Sequence, residues 1–173
     1  MTEIVRVYRQ KMPPLRFIGI RYGKEEACGK AGFAEKWSEW FADGRFEVLE
    51  SLGCCGCYED GDAYIGLMHG RDDDPLQYWI GMFAAAGTTV PEQFDYMDFP
   101  AGELGVVWVR GPESEIYGQE KKCAQACLDA GMRIEMDEKG AFWFFERHQC
   151  PRFTEPDDQG RVVLDICHFV QPE

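Results

Sequence analysis

Residues 142–148 read Phe-Trp-Phe-Phe-Glu-Arg-His, so a single carboxylate, Glu146, stands in a run of rings. A carboxylate among apolar neighbours is costly unless it is paired, so Glu146 points either to binding a cation or to acid/base chemistry. The structural alternative is an ion pair with a neighbouring Arg. In an extended strand, Phe142, Phe144, Glu146 and His148 share one face, and Trp143, Phe145 and Arg147 share the other. Tyr64, Trp79 and Trp108 lie in other strand-like runs and are candidates either for the core or for a pocket wall. Flat π surfaces suit flat or cationic ligands. Trp40 falls in a helical stripe and is expected in the core.

Two further groups of residue types could carry chemistry. Cys54-Cys55-Gly56-Cys57 contains a Cys-x-x-Cys spacing, and Cys123 and Cys127 stand four apart on one helical face. Zinc needs about four ligands, and no second Cys-x-x-Cys or paired His follows at the usual spacing. Cys123 and Cys127 also fit an apolar stripe, where cysteine behaves as a small hydrophobe. The eight cysteines are therefore read as free thiols, with no metal site. The histidines, His69, His148 and His168, are each alone on a strand and read as hydrogen-bonded packing residues. Neither a glycine-rich phosphate loop nor a Gly-x-Ser-x-Gly elbow occurs.

The elements that must position these residues follow from periodicity. Alternation predicts strands over 3–9, 15–22, 63–69, 76–84, 94–99, 103–111, 141–148 and 161–170. Phe33, Trp37, Trp40 and Phe41 recur at helical spacing, and Gly44 should weaken or end that helix. Pro112 and Ser114 read as the start of a second helix over 113–130, with an apolar stripe through Ile116, Cys123, Ala124, Cys127 and Leu128, ending at Gly131. The turn GRDDDP suits a hairpin. The order strand, helix, strand, strand occurs twice, over about 1–88 and 89–173, and 63–70 aligns without gaps with 141–148. In that alignment Glu146 falls opposite Met68. The expected fold is α+β: one antiparallel sheet from two β-α-β-β modules, two helices on one face, and a ligand cleft between the modules, in a single domain over 1–173.

Composition excludes several classes. Apolar residues make up 45% of the 173, enough for a packed core. Lys plus Arg number 18 and Asp plus Glu 31, a net charge of −13 that repels phosphate. Nucleic acid and anionic membrane are therefore poor direct partners. No apolar run of about 18 residues spans a membrane, and the charged first ten residues contain no apolar signal core, so a cytoplasmic location is expected.

Several segments together resemble the GyrI-like, or bacterial effector-binding, domain family built from tandem SHS2 modules. They are MPPLRFIGI (12–20), DFPAGELGVVWVRG (98–111), CLDAGM (127–132), FFERH (144–148) and VVLDICHFV (162–170). Members often show a proline, a small residue and glycine before a strand, and later a Phe-Glu-Arg-aromatic stretch; Phe145-Glu146-Arg147-His148 fits it with His148 in the aromatic place. Two features depart from the pattern. Tryptophans often found in the second helix are replaced by cysteines at 123 and 127, and the Cys54–Cys57 loop is individual.

The resemblance implies binding of flat, hydrophobic, frequently cationic small molecules; read from the residues themselves, the expected pocket is lined by Glu146, Phe144, His148, Trp108, Tyr64 and Trp79. With the first strand starting at residue 3, no appended helix-turn-helix is expected, and any role in transcription would pass through another polypeptide. One alternative is a hydrolase that opens cyclopropane-bearing compounds, with Glu146 as general base. The other is a protein-interaction module acting on a partner such as a topoisomerase. A haem-binding family shares the duplicated architecture, but no ligation pattern surrounds the three histidines, and no cofactor is expected.

Overall fold

The structure is a computed structural model that describes residues 1–29, 32–53, 56, 58–70 and 77–173. Eight strands follow the alternating runs: β1 (Glu3–Met12), β2 (Leu15–Tyr22), β3 (Tyr64–Gly70), β4 (Gln77–Ala85), β5 (Asp95–Phe99), β6 (Gly102–Pro112), β7 (Phe142–His148) and β8 (Arg161–Val170). The helices are α1 (Ala34–Ala42), α2 (Arg45–Glu50) and α3 (Glu120–Asp129). All strands join one antiparallel sheet in the order β1-β6-β8-β7-β3-β4-β2-β5.

That order has the same form read from either edge. β1, β6, β8 and β7 of one side correspond to β5, β2, β4 and β3 of the other. The centre is the β3–β7 pairing, where Leu67 lies opposite Phe145. The chain crosses between sides at two proline kinks: β1 runs into β2 through Pro13–Pro14, and β5 into β6 through Pro100–Ala101. Because β1 pairs with β6 and β2 with β5, each half lends its first strand to the other half's sheet.

The helices cover one face. On the first half's side this face buries Ile18, Tyr22, Met68, Tyr78, Ile80 and Phe144 under α1 and α2. On the other side it buries Val107, Val109, Leu164 and Ile166 with Ile116, Cys123 and Cys127 of the α3 region. The opposite face holds its own cluster, including Phe17, Leu67, Phe83, Leu104, Val106, Phe145 and Phe169, with Phe99 stacked on Phe169 at 5.0 Å. Trp40 is fully buried and donates its indole N–H to the Tyr22 hydroxyl at 2.8 Å.

Two helix boundaries differ from expectation or sharpen it. Gly44, in the left-handed region at φ 75°, does end α1, and α2 starts directly after it. The second-half helix begins at Glu120, later than position 113. Glu113–Glu115 form only a single 3-10 turn, with Pro112 closing β6, and Gly118 at φ 76° breaks the path before α3 starts. Ile116 is buried in the core while Tyr117 is left exposed. Ser114 therefore caps no α-helix. The buried thiols of Cys123 and Cys127 are pushed up to about 12 and about 11, as desolvation disfavours thiolate. Cys54, Cys55, Cys57 and the hairpin turn after Gly70 lie outside the described residues.

Candidate functional site

β7 fixes the central carboxylate. Alternation turns Phe144, Glu146 and His148 toward the helices and Phe145 and Arg147 away from them. Across the pairing, Gly66 of β3 stands opposite Glu146. A Cβ on Gly66 would come within 2.9 Å of the Tyr78 hydroxyl and 3.3 Å of Trp37. The missing side chain is therefore what lets those two rings close in beside Glu146. One rung further, Met68 faces Phe144, and both side chains are buried. The centre of the sheet is thus asymmetric: glycine with carboxylate on one side, two large apolar side chains on the other.

Above Glu146 lies a cavity of about 1000 Å³ between α1, the 113–120 segment and the 149–154 segment. Its walls are mainly aromatic. Phe33 stacks on Tyr78 at 4.0 Å, and the Trp37 indole N–H donates to the Tyr78 hydroxyl at 2.8 Å. The Trp37 ring meets His148 edge-on at 4.6 Å, and Phe153 meets His148 from another side at 4.6 Å. Phe41, Tyr64 and Tyr117 complete the wall toward the mouth.

Glu146 is 7% exposed, and among the described residues nothing donates a hydrogen bond to it. The Nε2 of His148 lies 3.9 Å from its carboxylate, beyond hydrogen-bond range. Burial first, and the charge of Glu120 second, push the Glu146 carboxyl up to about 8. His148 is held down to about 4 by burial, so it is neutral. Its Nδ1 faces the Tyr64 carbonyl at 3.3 Å. A carbonyl only accepts, so Nδ1 carries the proton and Nε2 turns a lone pair toward Glu146. Burial and the Glu146 charge also raise the Tyr78 and Tyr117 phenols well above their usual range.

The ion pair with a neighbouring Arg does not form. Arg147 is on the opposite face, where it bonds Asp165 at 2.7 Å and Gln10 at 2.9 Å, and Arg152 bonds the same Asp165 at 2.8 Å. Those cations are committed, and among the described residues no Lys or Arg pairs with Glu146.

Of the six residues expected at a pocket, the structure brings Glu146, His148 and Tyr64 together. Phe144 is on the right face but sits beneath the surface, stacked on His168 at 5.5 Å. Trp79 and Trp108 are not brought there. Trp79 pairs in register with Leu67, so its side chain packs on the opposite face against Phe17. Trp108 shares that face with Tyr8 and Arg152. Sequence reasoning missed Trp37, Tyr78 and Tyr117. Tyr78 has opposite parity to Trp79, and the β3–β4 register decides which of the two faces Glu146.

No family model and no curated protein matches the sequence. Solved structures do match over nearly the full length. A Staphylococcus aureus MU50 protein assigned to bacterial transcription regulation superposes with TM-score 0.63 at 17% identity, covering 96% of this chain and 99% of that one. SAV2435 bound to tetraphenylphosphonium superposes with TM-score 0.64 at 15% identity, covering 96% and 94%. The chain has the GyrI-like fold. A Listeria innocua hydrolase shares the GyrI-like fold at TM-score 0.51 and 11% identity, covering 96% of this chain and 92% of that one.

Proposed function

We propose that this protein binds hydrophobic, cationic small molecules in the aromatic cavity above Glu146. The observation that carries this reading is the buried carboxylate, enclosed by rings, to which no group among the described residues donates a hydrogen bond. An ionised carboxylate there lacks compensation, and a cation supplies it, while the rings contribute stacking and cation–π attraction. The neutral His148 adds no competing charge. A GyrI-like neighbour, SAV2435, is bound to tetraphenylphosphonium, a ligand of this chemical type.

The test is titration with tetraphenylphosphonium, followed by tryptophan fluorescence. Glu146→Gln keeps the shape and removes the charge. At pH 8.5 it should weaken the cation by roughly 1–3 kcal/mol, about 5- to 150-fold, and leave a neutral analogue of similar shape unchanged. Equal affinity of both proteins for the cation contradicts the reading.

One observation favours a second reading, hydrolysis of strained electrophiles. The Glu146 carboxyl at about 8 is in the range useful to a general acid or base near neutral pH. A GyrI-like neighbour is a hydrolase. Under this reading Glu146 takes a proton from water as the water oxygen bonds to a ring carbon. The strained C–C bond breaks, its electron pair passes to the substrate's electron-withdrawing group, and the proton is returned there. Glu146→Gln therefore retains binding but loses turnover of a cyclopropane-bearing compound by roughly 100-fold or more.

A further inference from the structure

We propose that the cavity prefers ligands with two positive centres, one held by Glu146 at its floor and the second by Glu120 at its mouth. This inference rests on the reading of the cavity as a cation site and specifies the ligand class. Among the described residues, five carboxylates line the cavity, Glu50, Asp62, Glu113, Glu120 and Glu146, and no Lys or Arg does. A single cation leaves most of that charge uncompensated.

Two of the five are already engaged: Glu50 accepts the Tyr64 hydroxyl, and Asp62 accepts from the Gln149 amide at 2.8 Å. Glu113 is exposed, where water and salt screen it. Glu120 is different. It is half-buried in the first turn of α3, makes no hydrogen bond or ion pair among the described residues, and is close enough for its charge to oppose ionisation of Glu146. Two carboxylates that repel each other across one cavity are best relieved by a positive centre on each.

The volume of about 1000 Å³ exceeds what one small ammonium group fills, and leaves room for an elongated molecule with rings between its charged ends. The stacked Phe33–Tyr78 pair and the Trp37 and Tyr117 rings are the surfaces such a middle section would meet. Tyr117 and Glu120 come from the same stretch, which reaches the mouth because α3 starts only at position 120.

The test compares pentamidine, which has an amidinium at each end, with its single-amidinium half-molecule and with tetraphenylphosphonium. All three are titrated into the full chain and into Glu120→Gln. The variant keeps the size and helix position of Glu120, and a melting curve checks that it folds. The expected result is that pentamidine binds the wild type at least tenfold more tightly than the half-molecule. Glu120→Gln should lose roughly tenfold for pentamidine and change less than about threefold for either single cation. If the variant weakens all three equally, or none, the inference is overturned while the cation reading stands. If the wild type binds none of the three, the cation reading itself fails, and this inference with it.

Discussion

Gly66 stands directly across the β3–β7 pairing from Glu146. This one rung sets the character of the cavity, because the position without a side chain admits the Tyr78 hydroxyl and the Trp37 ring beside the carboxylate. Gly66→Ala should therefore act on both stability and binding. The added methyl meets Tyr78 at 2.9 Å and Trp37 at 3.3 Å, and must push the Trp37–Tyr78 hydrogen bond apart. Overpacking of this kind costs about 1–3 kcal/mol. Thermal melting should show that loss, and tetraphenylphosphonium affinity should fall with it. A variant with unchanged melting and unchanged affinity would show that the rung is not tight.

Trp37 of α1, which bonds Tyr78 on one face of β4, and Trp79 on the other face offer a paired comparison. Trp37→Phe removes the indole donor to Tyr78 but keeps a ring, and should weaken cation binding by roughly 1 kcal/mol, about fivefold. Trp79→Phe, on the other face against Phe17, should lower the melting temperature and leave affinity within about twofold. Fluorescence titration of both variants decides the matter. Loss of affinity in the Trp79 variant alone would contradict the placement.

Glu146 also sets a pH dependence of stability. Its folded pKa of about 8 lies above the ordinary value of 4.5, so the folded protein holds a proton that the unfolded chain releases between these values. Stability from this group is therefore lost as pH rises from about 4.5 to about 8. Glu146→Gln removes the effect. The two proteins should melt alike at pH 4, while at pH 8.5 the variant should be more stable by roughly 2–4 kcal/mol. Equal melting at both pH values would contradict a buried, unpaired carboxyl.

His168 works in the opposite direction. It is buried against Phe144, neither ring nitrogen has a hydrogen-bond partner among the described residues, and burial holds it down to about 4 from 6.5. The unfolded chain takes up a proton that the folded one refuses, so stability is lost as pH falls from about 6.5 toward 4. His168→Leu should raise stability at pH 5 by roughly 1–2 kcal/mol and by less at pH 7.5. A larger gain at pH 7.5 than at pH 5 would refute this.

Much of the fold is legible because alternation is a local signal. The eight strands fall within a few residues of where the apolar pattern puts them, and Glu146, His148 and Phe144 share a face as their spacing requires. Facing across strands is not local. Whether Trp79 or Tyr78 looks toward Glu146 depends on β4 pairing Trp79 with Leu67, a register that no spacing within β4 reveals. The same holds for Trp108 on β6. Tyr117 was hidden by a different cause. The stripe through Ile116 and Cys123 suggests a continuous helix, whereas Gly118 in the left-handed region separates the two and turns Tyr117 to the cavity. The freedom of Glu146 from Arg147 follows from strand parity, and it required Asp165 on the next strand to show where Arg147 goes instead.

The central claim is that a cation meets an ionisable, otherwise uncompensated Glu146. The most direct measurement is the dissociation constant for tetraphenylphosphonium from pH 6 to 9, in wild type and Glu146→Gln. Below the free-protein value of about 8, binding must expel the Glu146 proton, so the wild-type affinity should rise up to tenfold per pH unit and level off above pH 8. The variant should bind more weakly at pH 8 and show a flat profile. A wild-type profile as flat as the variant's, with the same affinity, would contradict the account.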